Sequence, residues 1–182
     1  QLEPLLERPT VLVIGPGLGR SSWSEQLMQK ALASDLPMVV DADGLNIISE
    51  GRVVTNLQNI NWIMTPHPGE AARLLDIPVA EIEADRFSAV RRLQEKYNAV
   101  VILKAAGTIV SAQNGHPIKV CPYGNSGMAT GGMGDILSGV IGSLIAQGVD
   151  LQTAAELGCC LHSAAADMAV QEKGYKGLVA TD

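Results

Sequence analysis

Aromatic side chains are scarce in this sequence. They make up 3% of the 182 residues, with a single phenylalanine. Aliphatic residues and alanine must therefore build the core. Cysteine is nearly as rare: Cys121, Cys159 and Cys160 are the three present. The count is odd, two are adjacent, and no Cys-x-x-Cys or Cys/His ligand spacing occurs. That excludes a disulfide framework and a zinc site, and leaves buried free thiols in a reducing cytoplasm. Positive charge is also short, with 13 basic against 19 acidic residues and a net charge of −6. There is no dense basic run of the kind that non-specific nucleic-acid binding needs. The strongest cluster, Arg91-Arg92 with Lys96, reads as a solvated helix face. No uncharged apolar run reaches the ~18 residues of a membrane span. No signal peptide, repeat, linker or low-complexity segment is visible. An initiator methionine is lacking too, which suggests a fragment.

What is present is an ordinary globular composition, 47% hydrophobic and 18% charged, sized for one domain. Short apolar runs at Val11–Ile14, Pro37–Asp41, Trp62–Met64 and Ala99–Leu103 read as strands buried on both faces. Shorter strands are expected at 108–111 and 118–121, around an Asn114-Gly115 hairpin turn. Helices are expected at 21–34, 44–49, 68–75, 80–97, 132–147 and 151–172. Alternating strands and helices predict an α/β fold with a mostly parallel sheet.

Four strands end in small or polar clusters: Gly15–Gly19, Asp41–Asn46, Thr65–Glu70 and Lys104–Thr108. In an open α/β sheet, ligands bind outside the carboxyl ends of the strands, so these clusters are expected to share one edge. The most informative segment is Gly124-Asn-Ser-Gly-Met-Ala-Thr-Gly-Gly-Met-Gly-Asp135, with five glycines leading into a helix. Free N–H groups near Gly132 and Gly134 at that helix start would attract phosphate. Asp135, in the first turn, is either a residue complementing the helix dipole or a general base beside a phosphoryl donor. The glycine array favours the base. The segment is not a Walker A motif, because the Gly-Lys-Ser/Thr ending is missing.

His67, between two prolines, is either a helix cap or a rigidly aimed ligand contact. His162 reads as structural, and His116 as exposed in a hairpin turn. Lys104, followed by Gly107-Thr108, is either a solvated strand end or a phosphate holder. Asp43 either caps a helix starting at Gly44 or, like Asp41, holds Mg²⁺ through water.

The Gly124–Asp135 segment resembles the anion-hole motif of the ribokinase-like superfamily. Val13–Gly19, Asp41–Asn46, Thr65–Leu75 and Leu103–Thr108 narrow the resemblance to the ADP-dependent NAD(P)H-hydrate dehydratases, often fused to an N-terminal epimerase. It implies a three-layer sandwich with a mostly parallel central sheet, incomplete at both ends of this chain, in a cytoplasmic homo-oligomer. It implies phosphorylation of the hydrated NAD(P)H ring hydroxyl by ADP, or by ATP, with Mg²⁺. Loss of phosphate then restores NAD(P)H. Asp135 is implied as the base. Gly17, His67, Asn125 and Asp135 would contact the dinucleotide. Lys104, Ala105, Ala106, Gly107, Thr108, Gly132 and Gly134 would contact the adenine nucleotide. Ala105 departs from a family preference for glycine after the lysine. Two other readings stay open: a small-molecule kinase of the same fold, and a non-catalytic nucleotide-binding module.

Overall fold

The computed structural model describes residues 7–53, 61–111 and 117–182. The expected Asn114-Gly115 turn and His116 lie outside these residues. Six strands run in the order β1 (Leu12–Ile14), β2 (Met38–Val40), β3 (Trp62–Met64), β4 (Val100–Leu103), β5 (Ile109–Val110) and β6 (Lys119–Val120). The first four are parallel, and β4 through β6 pair antiparallel. Register is direct: Met38 stands beside Leu12 on one side and Trp62 on the other.

The period of two along each strand divides the core. Met38, Val40, Trp62, Met64, Val101 and Leu103 pack on one face. They meet α1 (Ser22–Leu32), α2 (Ala42–Ser49), α3 (Pro68–Leu75), α4 (Val79–Ala84) and α5 (Arg86–Tyr97). Val39, Ile63, Val100 and Ile102 pack on the other. They meet α6 (Met133–Ala146) and α7 (Leu151–Lys173). The result is a helix–sheet–helix sandwich. Few aromatics are available, and two of them work together. Trp62 donates its indole N–H to the Tyr97 carbonyl at 3.1 Å, and the rings meet edge-on, 77° apart in plane. The Tyr97 hydroxyl donates to the Leu74 carbonyl at 2.9 Å, and burial pushes its pKa up to about 12.

Two of the differences from the expected boundaries bear on the site. The single helix expected over 80–97 is two, broken at Asp85 (φ −146°, ψ 83°). The Asp85 carboxylate accepts from the Ser88 N–H at 2.9 Å, so a side-chain cap wins over helix continuation. The break makes Arg86 the first residue of α5. The helix expected from Gly44 begins at Ala42 instead, and Asp41 rather than Asp43 is its cap. Of the cysteines, Cys121 and Cys159 are buried, Cys160 is half-buried and all are unbridged. His162 is half-buried, with its Nε2 unpartnered in the interior among the described residues.

The turn after β1 lies close against the end of β2. Gly15 has φ +125°, and an added Cβ there would stand 1.8 Å from the Asp41 carbonyl oxygen. That same oxygen accepts the Gly44 N–H at 3.0 Å. Nothing can give way without moving α2. Gly15→Ala is therefore expected to lower the unfolding free energy by about 2–4 kcal/mol. Urea unfolding checks this, and a loss within about 0.5 kcal/mol, as for an ordinary surface change, would contradict it.

Candidate active site

The four polar clusters do share one edge, the carboxyl ends of β1 to β4. Their centre is Asp41, whose side chain is 2% exposed. Its Oδ1 accepts from Lys104 Nζ at 2.6 Å and from the Ala42 N–H at 2.8 Å. Its Oδ2 accepts from the Ser138 hydroxyl at 3.1 Å. A buried carboxylate needs this degree of satisfaction. Lys104 is itself fixed at its backbone, where its N–H donates to the Pro66 carbonyl at 2.9 Å. Its Nζ lies 4.0 Å from Glu70 Oε2.

Glu70 and His67 form a reciprocal cap at the start of α3. His67 Nδ1 accepts from the Gly69 N–H at 2.9 Å and, at longer range, from that of Glu70. Glu70 returns the interaction by accepting the His67 N–H at 2.8 Å. The His67 ring is thus held by Nδ1, while half of its side-chain surface stays exposed. Its two candidate roles are compatible, since the cap occupies one nitrogen and Nε2 lies 3.6 Å from Glu70 Oε1. Burial raises the Glu70 pKa above its ordinary value, opposed by the Lys104 charge and the His67 N–H.

Helix α6 brings its start to the same corner. A Cβ on Gly134 would stand 3.2 Å from Asp41 Oδ2 and 3.3 Å from Lys104 Nζ. Gly132, at φ +88°, precedes the helix and offers no side-chain cap. The first-turn N–H groups are thus left for a ligand or water. Asp135 follows directly, exposed and with no hydrogen-bond partner among the described residues. It heads an open groove along Ile136, Gly139, Val140, Ser143, Leu144 and Gln147.

Gly17 has φ +64° with open space where a side chain would be, so conformation rather than crowding calls for glycine there. Asp43 accepts the Gly19 N–H at 2.9 Å and so ties the first glycine turn to α2. Asn125 is engaged on both sides. It donates to Asp167 at 2.8 Å and accepts from the Gly127 N–H at 2.9 Å. Ala105 and Ala106 are exposed, and Gly107 and Thr108 are partly so.

Sequence reasoning missed four contributors. Glu70 was readable from its capping-box spacing after His67. Ser138 had no signal beyond a polar residue within an apolar helix. Asp167 lies in an alanine-rich stretch, and the Gly124 N–H and Asn125 amide hold its pKa below the ordinary range. Arg86, whose Nη1 donates to the Ala106 and Gly107 carbonyls, only becomes visible once α5 starts at its position. Among the described residues, no three His, Cys, Asp or Glu side chains converge as a metal cage. Among the described residues, no helix is long and apolar enough to cross a membrane.

The fold defines a ribokinase-like α/β protein, with the uncapped start of α6 at this corner. An Enterococcus faecalis ribokinase-like superfamily protein matches it with TM-score 0.80 at 28% identity, covering 94% of this chain and 59% of that one. The chain belongs to the NAD(P)H-hydrate dehydratase family, whose family model matches residues 1–182. A bifunctional NAD(P)H-hydrate repair enzyme of Coxiella burnetii is 54% identical over 181 residues, spanning 100% of this chain and 36% of the relative. An ADP-dependent (S)-NAD(P)H-hydrate dehydratase of Neisseria meningitidis is 44% identical, over 92% of this chain and 58% of its own length. The chain therefore spans about a third to just over half of these relatives. The Bacillus subtilis ADP/ATP-dependent NAD(P)H-hydrate dehydratase, co-crystallised with ATP/Mg²⁺, matches with TM-score 0.82 at 29% identity, over 94% of this chain and 60% of that one.

The raised Glu70 pKa carries a pH prediction. A carboxyl with a raised folded pKa favours the folded state while protonated. Its contribution is lost as pH rises from the ordinary glutamate range through the folded value. Glu70→Gln is expected to remove that decline and flatten the stability profile on the alkaline side of the ordinary range. Melting temperature against pH tests it, and an unchanged slope would contradict it.

Proposed function

We propose that this chain carries the dehydratase chemistry of its family: ADP-dependent dehydration of hydrated NADH or NADPH. The supporting observation is Asp135, unpartnered at the uncapped start of α6, one residue beyond the glycine that abuts the Asp41–Lys104 pair. The ring hydroxyl oxygen attacks the β-phosphorus of ADP, and AMP leaves. Asp135 takes the hydroxyl proton. The amides at Gly132 to Gly134 and the Lys104 ammonium stabilise charge on the transferring group. Phosphorylation turns a poor leaving group into a good one. Cleavage of the ring C–O bond then releases phosphate, and loss of a proton from the adjacent carbon restores the double bond. ATP in place of ADP yields ADP by the same route.

Gly17, His67 and Asn125 are assigned to the dinucleotide side. Lys104 to Thr108, with Gly132 and Gly134, are assigned to the adenine nucleotide. Asp41 spends its oxygens on Lys104, Ala42 and Ser138, and Asp43 spends one on Gly19. This donor set fits Mg²⁺ held mainly by phosphate oxygens and water, with Asp41, Asp43 or Glu70 reached through water. The ion would neutralise phosphate charge. The bifunctional relatives support a longer protein with a second catalytic part. A cytoplasmic homo-oligomer is proposed for it.

The test is recovery of reduced-ring absorbance from hydrated NADH with ADP and Mg²⁺, using the intact protein. The wild type is expected to restore absorbance and form AMP. Asp135→Asn should lower turnover about 100-fold or more while leaving ADP affinity nearly unchanged. Failure of the wild type to restore absorbance would reject the reading. Near-normal turnover by the variant would remove Asp135 as base.

A further inference from the structure

The turn from Lys104 to Thr108 is pinned at both ends and once in the middle. Its start is held by the Lys104 N–H on the Pro66 carbonyl, and its end by the Cys121 N–H on the Thr108 carbonyl, each at 2.9 Å. The Thr108 hydroxyl closes it locally on the Ala105 carbonyl at 3.1 Å. The middle is held from another element. Arg86 Nη1 donates to the Ala106 carbonyl at 2.8 Å and to the Gly107 carbonyl at 3.2 Å.

Planar trans peptides convert that grip into a direction. The Ala106 carbonyl shares its peptide plane with the Gly107 N–H, and the Gly107 carbonyl with the Thr108 N–H. In a trans unit the two groups point oppositely, and none of the described bonds is cis. With both carbonyls drawn to one guanidinium, the two successive N–H groups are turned away from it. Neither has a hydrogen-bond partner among the described residues. Gly107, at φ +68°, permits the conformation. Successive free amides of this kind form an anion-binding concavity. Arg86 forms no ion pair among the described residues, so its charge is committed to the turn.

We propose that Arg86 is a positioning residue for the adenine nucleotide: it grips the Ala106 and Gly107 carbonyls, so that the Gly107 and Thr108 amides stand ready for phosphate. The inference rests on the nucleotide assignment of this turn in the proposed function. It also gives the break at Asp85 a consequence. A helix unbroken through Asp85 would not begin at Arg86, and the side chain would leave from a helix interior rather than from the first turn.

The experiment compares wild type, Arg86→Ala and Arg86→Lys in the intact protein, by calorimetric titration with MgADP and by steady-state kinetics in both substrates. Arg86→Ala is expected to weaken ADP binding about tenfold, with KM for the hydrated dinucleotide moving less than about twofold. Arg86→Lys should recover part of the loss, since an ammonium still donates to carbonyls but lacks the fork. Unchanged ADP affinity in the alanine variant overturns the proposal. So does an equal weakening of both substrates, which marks a general structural role. If the alanine variant does not fold, the lysine variant decides by the same split. A wild type that binds no ADP overturns the functional reading itself, and this assignment with it.

Discussion

The contact between Lys104 and Asp41 holds this site together. A carboxylate with 2% of its side-chain surface exposed would be costly without a counter-charge and hydrogen bonds. Satisfying it joins four parts of the chain. Asp41 ends β2 and caps α2. Lys104 ends β4. Ser138 comes from the second turn of α6. The backbone of Asp41 continues the contact, since its carbonyl lies against Gly15 and receives the Gly44 N–H. The glycines around the pair follow from it. At Gly134, α6 abuts the pair, and a side chain there would crowd both partners.

Much of the fold was legible because its signals are local. The buried strands β2 to β4 read as unbroken apolar runs, and glycine or polar clusters marked their ends; β1, expected to be covered on both faces, is instead an edge strand that leaves Val13 exposed. In α6, Leu137, Ile141 and Ile145, four residues apart, lie on the buried face. The shared edge then followed from a general property of parallel sheets. The failures were local contests. Asp85 caps rather than continuing a helix, and Asp41 caps where Asp43 was the candidate. Both are cases in which a short acidic side chain had two possible roles and tertiary placement chose between them.

The site was legible where motifs are contiguous and illegible where partners are remote. His67, Lys104 and Asp135 stand out by their neighbours in sequence. Ser138 lies 97 residues from Asp41, and Arg86 lies 20 residues from Ala106. Their roles exist only in three dimensions. Asp167 is similar: it holds the beginning of the glycine segment from α7, 42 residues away. The geometry of the candidate site thus depends on a layer of supporting side chains that carry no motif of their own. The family relationship accounts for the contiguous motifs, and the geometry adds this supporting layer.

The most direct test of this account is a double-mutant cycle on Asp41→Asn and Lys104→Met, read as unfolding free energy. If the pair pins the sheet edge, each single change leaves a buried or half-buried charge without its partner. The two losses will then fall short of adding by more than about 1.5 kcal/mol in the double variant. Losses that add within about 0.5 kcal/mol would mean that the two side chains are independent, and would contradict the account.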